Sequence, residues 1–249
     1  AHAIRVKPAN LEGLPDWSPV ISEVQKLVDD AARRGDGSRV SLPSGTYGTE
    51  AKDPGMGHGT REKPLMITSA LVLMGKGTDA TQLICEVTVG ERVVGKLLHL
   101  ANLSVRNATL TIQGKAIERV HLQKLRISLD GGEGRDALTL NETHSGKYHP
   151  EKVLLEECEV VGGGDGIMIG VHGCTLRKCR VLGAASRGIF ANDSFIIEDS
   201  VVQGCGGYGM KTRGGCDRRG SNRIQAGPWD GHMAFGEGAN PYGVPPPGS

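Results

Sequence analysis

Three side chains, Asp136, Asp165 and Lys211, combine residue type and spacing in a way that could support acid–base chemistry. Asp136 lies in the stretch GRDALTLNE, Asp165 in GGGDGIMIG and Lys211 in GMKT, and the apolar alternation around each predicts a strand. Neighbouring rungs of a parallel sheet lie about 4.8 Å apart, and two carboxylates that close could share one proton, which raises the pKa of one of them. Hydrolysis of a glycosidic bond needs such a protonated acid together with a base or nucleophile across the sugar. A lyase instead needs a base, commonly Lys or Arg, and often carboxylates that hold Ca²⁺ against a uronate. Lys211 and Arg213 supply the first, but the sequence has no compact Asp/Glu cluster, so Ca²⁺ is expected only if the chain is a lyase, and no other cofactor is expected.

These residues gain meaning only from the elements that carry them, and those elements repeat. VLLEECEVVG from Val153, CTLRKCRVLG from Cys174 and FIIEDSVVQG from Phe195 align without a gap at offsets of 21 residues. In that register Leu155, Leu176 and Ile197 form one column, Val160, Val181 and Val202 another, and Gly162, Gly183 and Gly204 a third. The alternation predicts strands and the repeated glycine a corner. A second strand follows each corner, as DGIMI, RGIFA and YGMKT, with Ile167, Ile189 and Met210 pointing inward. HLANLSV from His99 and HLQKLRI from His121 repeat at 22 residues, and the next offset of 33 predicts an inserted loop over Asn141 to Pro150. A unit this small cannot bury its apolar face alone, so the coils must stack and every column becomes a ladder. The expected fold class is all-β: a right-handed parallel β-helix of about eight coils spanning residues 1–227.

Stacking sets the candidate residues side by side. One outward ladder is Asp136, Asp165, Arg187 and Tyr208; a neighbour is Thr139, Met168, Phe190 and Lys211; a third holds Asn141, Gly170, Asn192 and Arg213. The patch suits a saccharide or a peptide, with Phe190 and Tyr208 giving contact area and Asp165, Lys211, Arg187, Asn192 and Arg213 giving orientation. The competing reading is a solvated face whose charges offset along each ladder. His99 and His121 share a column, and without a third ligand they read as structural rather than metal-binding.

Ser18 and Pro19 open a helix whose apolar residues Val20, Ile21, Val24, Leu27, Val28 and Ala31 share one face until Gly35. An amphipathic helix over about 18–34 is the expected plug for the open end of a solenoid. Residues 228–249, rich in Gly and Pro, read as an irregular tail.

The segment VQKLVDDAARRGDGSRVSLPSGTY resembles the capping helix and first strand of pectin-lyase-like β-helix proteins, and the coils from Val153 to Gly227 resemble the repeats of carbohydrate-binding proteins and sugar hydrolases. The resemblance implies the fold and, more loosely, sugar chemistry. Among catalytic relatives of that kind, GGGDGIMIG and GMKT are most similar to stretches of polygalacturonases. Asp165 stands where that family has His and Gly209 where it has Arg, while Lys211 carries over; the family's Asn-Thr-Asp and Asp-Asp motifs have no counterpart.

Charge and composition narrow the partners. With 29 basic and 28 acidic residues the net charge is +1, so no global field draws the chain to nucleic acid or an anionic membrane. The 38 glycines against 4% aromatics fit many tight corners better than a bulky core. Six cysteines in a chain long enough to bury a core read as free thiols, and with no basic-then-apolar leader in residues 1–20 they favour a cytoplasmic setting, with secretion left open. The sequence is thus read as a monomeric β-helix binding or scaffold module for a polysaccharide or a protein or peptide. The alternative is a polysaccharide lyase or glycoside hydrolase acting on uronate-containing glycans.

Overall fold

The computed structural model describes residues 21–48, 63–114, 116–130, 134–140 and 152–225. The stretch Asn141 to Pro150, the cap at Ser18 and Pro19, and residues 228–249 lie outside them.

Every strand pairing among the described residues is parallel and joins segments one coil apart, which makes the chain a parallel β-helix with three faces. The first face carries Leu71–Met74, Lys152–Glu156, Cys174–Arg177, Ser194–Glu198 and Gly215–Arg219. The second carries Thr81–Leu83, Glu159–Gly162, Arg180–Leu182 and Val201–Gln203, and the third Leu65–Ile67, Val87–Val89, Leu110–Ile112, Leu138–Leu140, Asp165–Ile169, Arg187–Ala191 and Met210–Thr212. Two long strands, Val94–Arg106 and Ala116–Leu129, bend from the first face to the second and tie them into one sheet.

The columns expected from the repeat are registered partners: Leu155 with Leu176 and Ile197, Val160 with Val181 and Val202, Ile167 with Ile189 and Met210. Their side chains are buried in one continuous apolar core. Burying each such Leu, Ile or Val contributes about 1.5–3 kcal/mol relative to exposure, and because identical columns repeat, the core continues from coil to coil without a break.

Two kinds of corner turn the chain. Gly162, Gly183 and Gly204 adopt φ of 77°, 64° and 69° between the second and third faces, as their spacing predicts. The corner between the first and second faces is not signalled by glycine. Asn102, Lys124, Glu157, Lys178 and Asp199 stand there in register with φ of 47° to 55°, a conformation side chains normally avoid. Stacking enforces it: the backbone N–H groups of Glu157 and Lys178 donate at 2.9 Å to the carbonyls of Arg177 and Glu198 in the next coil. The residues that follow, Cys158, Cys179, Ser200 and Asn222, form a column of their own. Cys158 and Cys179 donate to the Leu122 and Leu155 carbonyls at 3.3 and 3.4 Å, and Ser200 Oγ accepts the Cys179 N–H at 3.0 Å. None of the six cysteines forms a disulfide.

The helix Ile21–Arg34 buries Ile21, Val24, Val28 and Ala31 over the strands Ser38–Ser41 and Leu65–Ile67. Glu23 in its first turn and Arg33 and Arg34 in its last favour the helix dipole, and Gly35 ends it at φ 95°.

Candidate functional site

The third face gathers the predicted residues. Its middle outward column runs Met66, Thr88, Thr111, Thr139, Met168, Phe190, Lys211 in consecutive register. Asp165 pairs with Arg187 in the adjoining column, into which Asp136 and Tyr208 extend. Gly170, Asn192 and Arg213 follow on the other side: Arg213 donates its N–H to Ala191 at 2.8 Å, and Asn192, which is exposed, donates its own to Ile169 at 2.9 Å. Asn141 lies outside the described residues.

Glycine fixes where this face begins. Gly166, Gly188 and Gly209 directly precede the inward Ile167, Ile189 and Met210, and a Cβ on Gly188 would stand 2.5 Å from the Gly209 carbonyl oxygen and 2.4 Å from Val202. The close approach of the second and third faces therefore requires glycine here, and it sets Asp165, Arg187 and Tyr208 at the lip of the face.

The chemistry at that lip differs from the sequence expectation at Asp165. Instead of a solvated carboxylate it is buried, 4% exposed, beneath Arg187, whose Nε and Nη2 donate to Oδ1 and Oδ2 at 2.7 and 2.5 Å. Asp165 Oδ1 also takes the Arg187 N–H at 3.3 Å, and Asp136 Oδ1 takes the Asp165 N–H at 3.2 Å. Each carboxylate thus serves the next coil's backbone, a task that arises because the glycine corner leaves those N–H groups off the regular strand ladder. Burial, and then the charge of Asp165, push the Asp136 carboxyl above the usual carboxylate range, against the Asp165 N–H, Arg187 and Thr139, which favour its ionised form.

The aromatic contact area is also smaller than expected. Phe190 is 9% exposed, with the Arg187 guanidinium 3.8 Å above its ring centroid and that of Arg213 at 5.7 Å. Lys211 Nζ lies 5.4 Å from the half-buried Tyr208 ring. Such contacts favour holding the cations over the rings. Among the described residues no carboxylate forms a salt bridge with Lys211 or Arg213, whereas Arg187 is committed to Asp165.

On the other two faces several charges pair with one another along the ladders. On the first, Arg177 Nε meets Glu198 at 2.9 Å and its Nη1 lies 3.7 Å from Glu156; on the second, Glu159 bridges Arg126 at 3.1 Å and Arg180 at 3.0 Å. His99 and His121 stack at 4.6 Å with ring planes 7° apart, and burial followed by the neighbouring His121 lowers the His99 pKa. No group of three or more His, Cys, Asp or Glu suited to a metal ion occurs among the described residues.

Sequence reasoning did not find two adjoining grooves of about 380 and 390 Å³ that open on the second face and share Thr78, Asp79 and Arg126. The turn Gly75 to Ala80, which bulges before Thr81 and supplies Thr78 and Asp79, is the one sequence signal that could have found them.

No protein-family model and no curated protein matches the chain. Among solved structures, the A-module of the mannuronan C-5 epimerase AlgE4 of Azotobacter vinelandii aligns at 17% identity over 81% of this chain and 72% of its own, with a TM-score of 0.37. At that distance the likeness carries no argument about activity, and the fold rests on the strand pairing described above.

Proposed function

We propose that the chain is a β-helix binding module that holds an acidic polysaccharide along its third face, with Lys211 and Arg213 meeting carboxylates of the ligand. The observation that carries this reading is the pair of aromatic-backed cations without a salt-bridge partner among the described residues, whereas Arg177 and Arg180 on the other faces are paired with carboxylates. Tyr208 and Met168 give the ligand an apolar edge, and Asn192 adds an exposed amide. Arg187 orients Phe190 and Asp165 rather than the ligand, since its guanidinium is already engaged on both sides.

Titration of the chain with polygalacturonate and with a neutral glucan, with and without Ca²⁺ and with product detection, tests the reading. Binding of the uronate polymer that weakens as salt is raised is expected, with no turnover. The Lys211→Ala, Arg213→Ala double variant should melt as the parent does and bind at least about tenfold more weakly. Equal affinity for the neutral glucan overturns the proposal.

One observation supports an enzymatic second reading. Asp136 is a carboxyl whose pKa is raised beside a second carboxylate, the property of a general acid, and Lys211, in the adjoining column three coils further along, is the residue type of a lyase base. Release of unsaturated or reducing ends from the same polymer, lost in Asp136→Asn or Lys211→Ala, would establish it.

A further inference from the structure

On the second face, outward positions of two consecutive rungs form a checkerboard. Ser104 and Arg106 lie on one rung, and their registered partners on the next are Arg126 and Ser128. Rungs are about 4.8 Å apart and alternate residues about 6.8 Å, so two hydroxyls and two guanidiniums occupy the corners of a small rectangle. All four line the 380 Å³ groove, together with Asp79 and Asp130.

Ser104 is the anomaly. It is 1% exposed, and its Oγ has no hydrogen-bond partner. Its registered neighbours are Gln82 and Arg126, and Gln82 Oε1, the side-chain acceptor on the neighbouring rung, is engaged by Arg106 Nη1 at 2.7 Å. The hydroxyl is thus left without a protein acceptor. A buried hydroxyl in that state costs about 1–3 kcal/mol, and a ligand that brings an acceptor relieves it.

We propose that this groove is a second binding site, separate from the third face, for the oxyanion of a small hydroxylated acid: a sugar carboxylate or a sugar phosphate. The anion's oxygens take the Ser104 and Ser128 hydroxyls and those guanidinium donors that remain after Arg106 Nη1 meets Gln82 and Arg126 Nε meets Glu159. Asp79 and Asp130 accept hydroxyls of the body that carries it. The volume suits one or two sugar rings, and the two aspartates in the lining disfavour a long polyanion.

The test is calorimetric titration of the chain with glucuronate, inorganic phosphate and glucose. Glucuronate or phosphate should bind at least about tenfold more tightly than glucose, the better of the two identifying the source of the anion. Ser104→Ala should melt at or above the parent temperature, because it removes an unpaired hydroxyl, yet lose about tenfold in affinity for that anion. Ser128→Ala, at a position that is half-buried, repeats the test without touching the buried hydroxyl. Lys211→Ala with Arg213→Ala should leave this binding unchanged, which separates it from the third-face reading. Glucose binding as tightly as either anion, failure of both anions to bind, undiminished binding in both serine variants, or loss of binding in the third-face variant each overturns the assignment.

Discussion

Arg187 grips Asp165 across one coil boundary with two hydrogen bonds of 2.7 and 2.5 Å while its guanidinium carbon stands 3.8 Å from the centroid of the Phe190 ring. The pair removes from solvent a carboxylate that spacing alone had offered as an acid. Asp165→Asn should leave the guanidinium half-buried without its counter-charge and destabilise the chain by about 2–3 kcal/mol. Arg187→Met would strand the carboxylate instead. Chemical denaturation of both variants and their combination should give a coupling of more than about 1 kcal/mol, and additive effects would show that the pair is not structural.

Asp136 predicts the sign of one pH effect. Its folded pKa is raised above the unfolded value, so the folded state holds this proton more tightly. The associated stability is present below the unfolded pKa and is lost as pH rises through the raised folded pKa. Asp136→Asn, which keeps an oxygen to accept the Asp165 N–H, should remove that component. The variant should gain on the parent at neutral pH and lose the advantage near about pH 4, read from denaturation midpoints across the range. A parent-like pH profile in the variant would contradict the assigned environment.

Gly188→Ala probes the approach of two faces. Its Cβ would meet backbone and the buried Val202 and Cys205 side chains, none of which can swing aside. A loss of about 3 kcal/mol or more is expected, against less than about 1 kcal/mol for alanine at Gly215, where the nearest atom is a serine hydroxyl at 3.8 Å. Thermal melts of the two variants distinguish close packing from a generic preference for glycine.

Gln25 closes the open sheet edge. Its Oε1 accepts the Met66 N–H at 2.8 Å and its Nε2 donates to the Met66 carbonyl at 2.9 Å, so one side-chain amide stands in for a missing strand. Gln25→Glu loses the donor and Gln25→Ala both bonds, at about 1 and 2 kcal/mol respectively. Faster hydrogen exchange at Met66 and a greater tendency to associate through that edge should accompany the loss. Exchange at Met66 unchanged from the parent would show that the amide does not protect the edge.

Periodicity was enough to specify the β-helix, because a 21-residue unit with alternating apolar residues has no other way to bury them than by stacking, and stacking fixes which residues become neighbours. The columns of Leu155, Val160, Ile167 and Thr139 were legible for that reason, as was the helix that buries Val24 and Val28. Periodicity says nothing of how far a polar side chain leans once in its column. Only the tertiary structure decided that Asp165 lies under Arg187, that Phe190 is covered, and that Lys124, Glu157 and Lys178 hold a left-handed corner normally reserved for glycine. Those outcomes depend on what sits one rung away in space, 21 to 33 residues away in sequence, and on hydrogen bonds between coils that local preference cannot supply. The second-face groove has the same origin. Ser104 and Arg126 are unremarkable 22 residues apart in the chain, and the parallel register that makes them neighbours also leaves the serine hydroxyl without an acceptor.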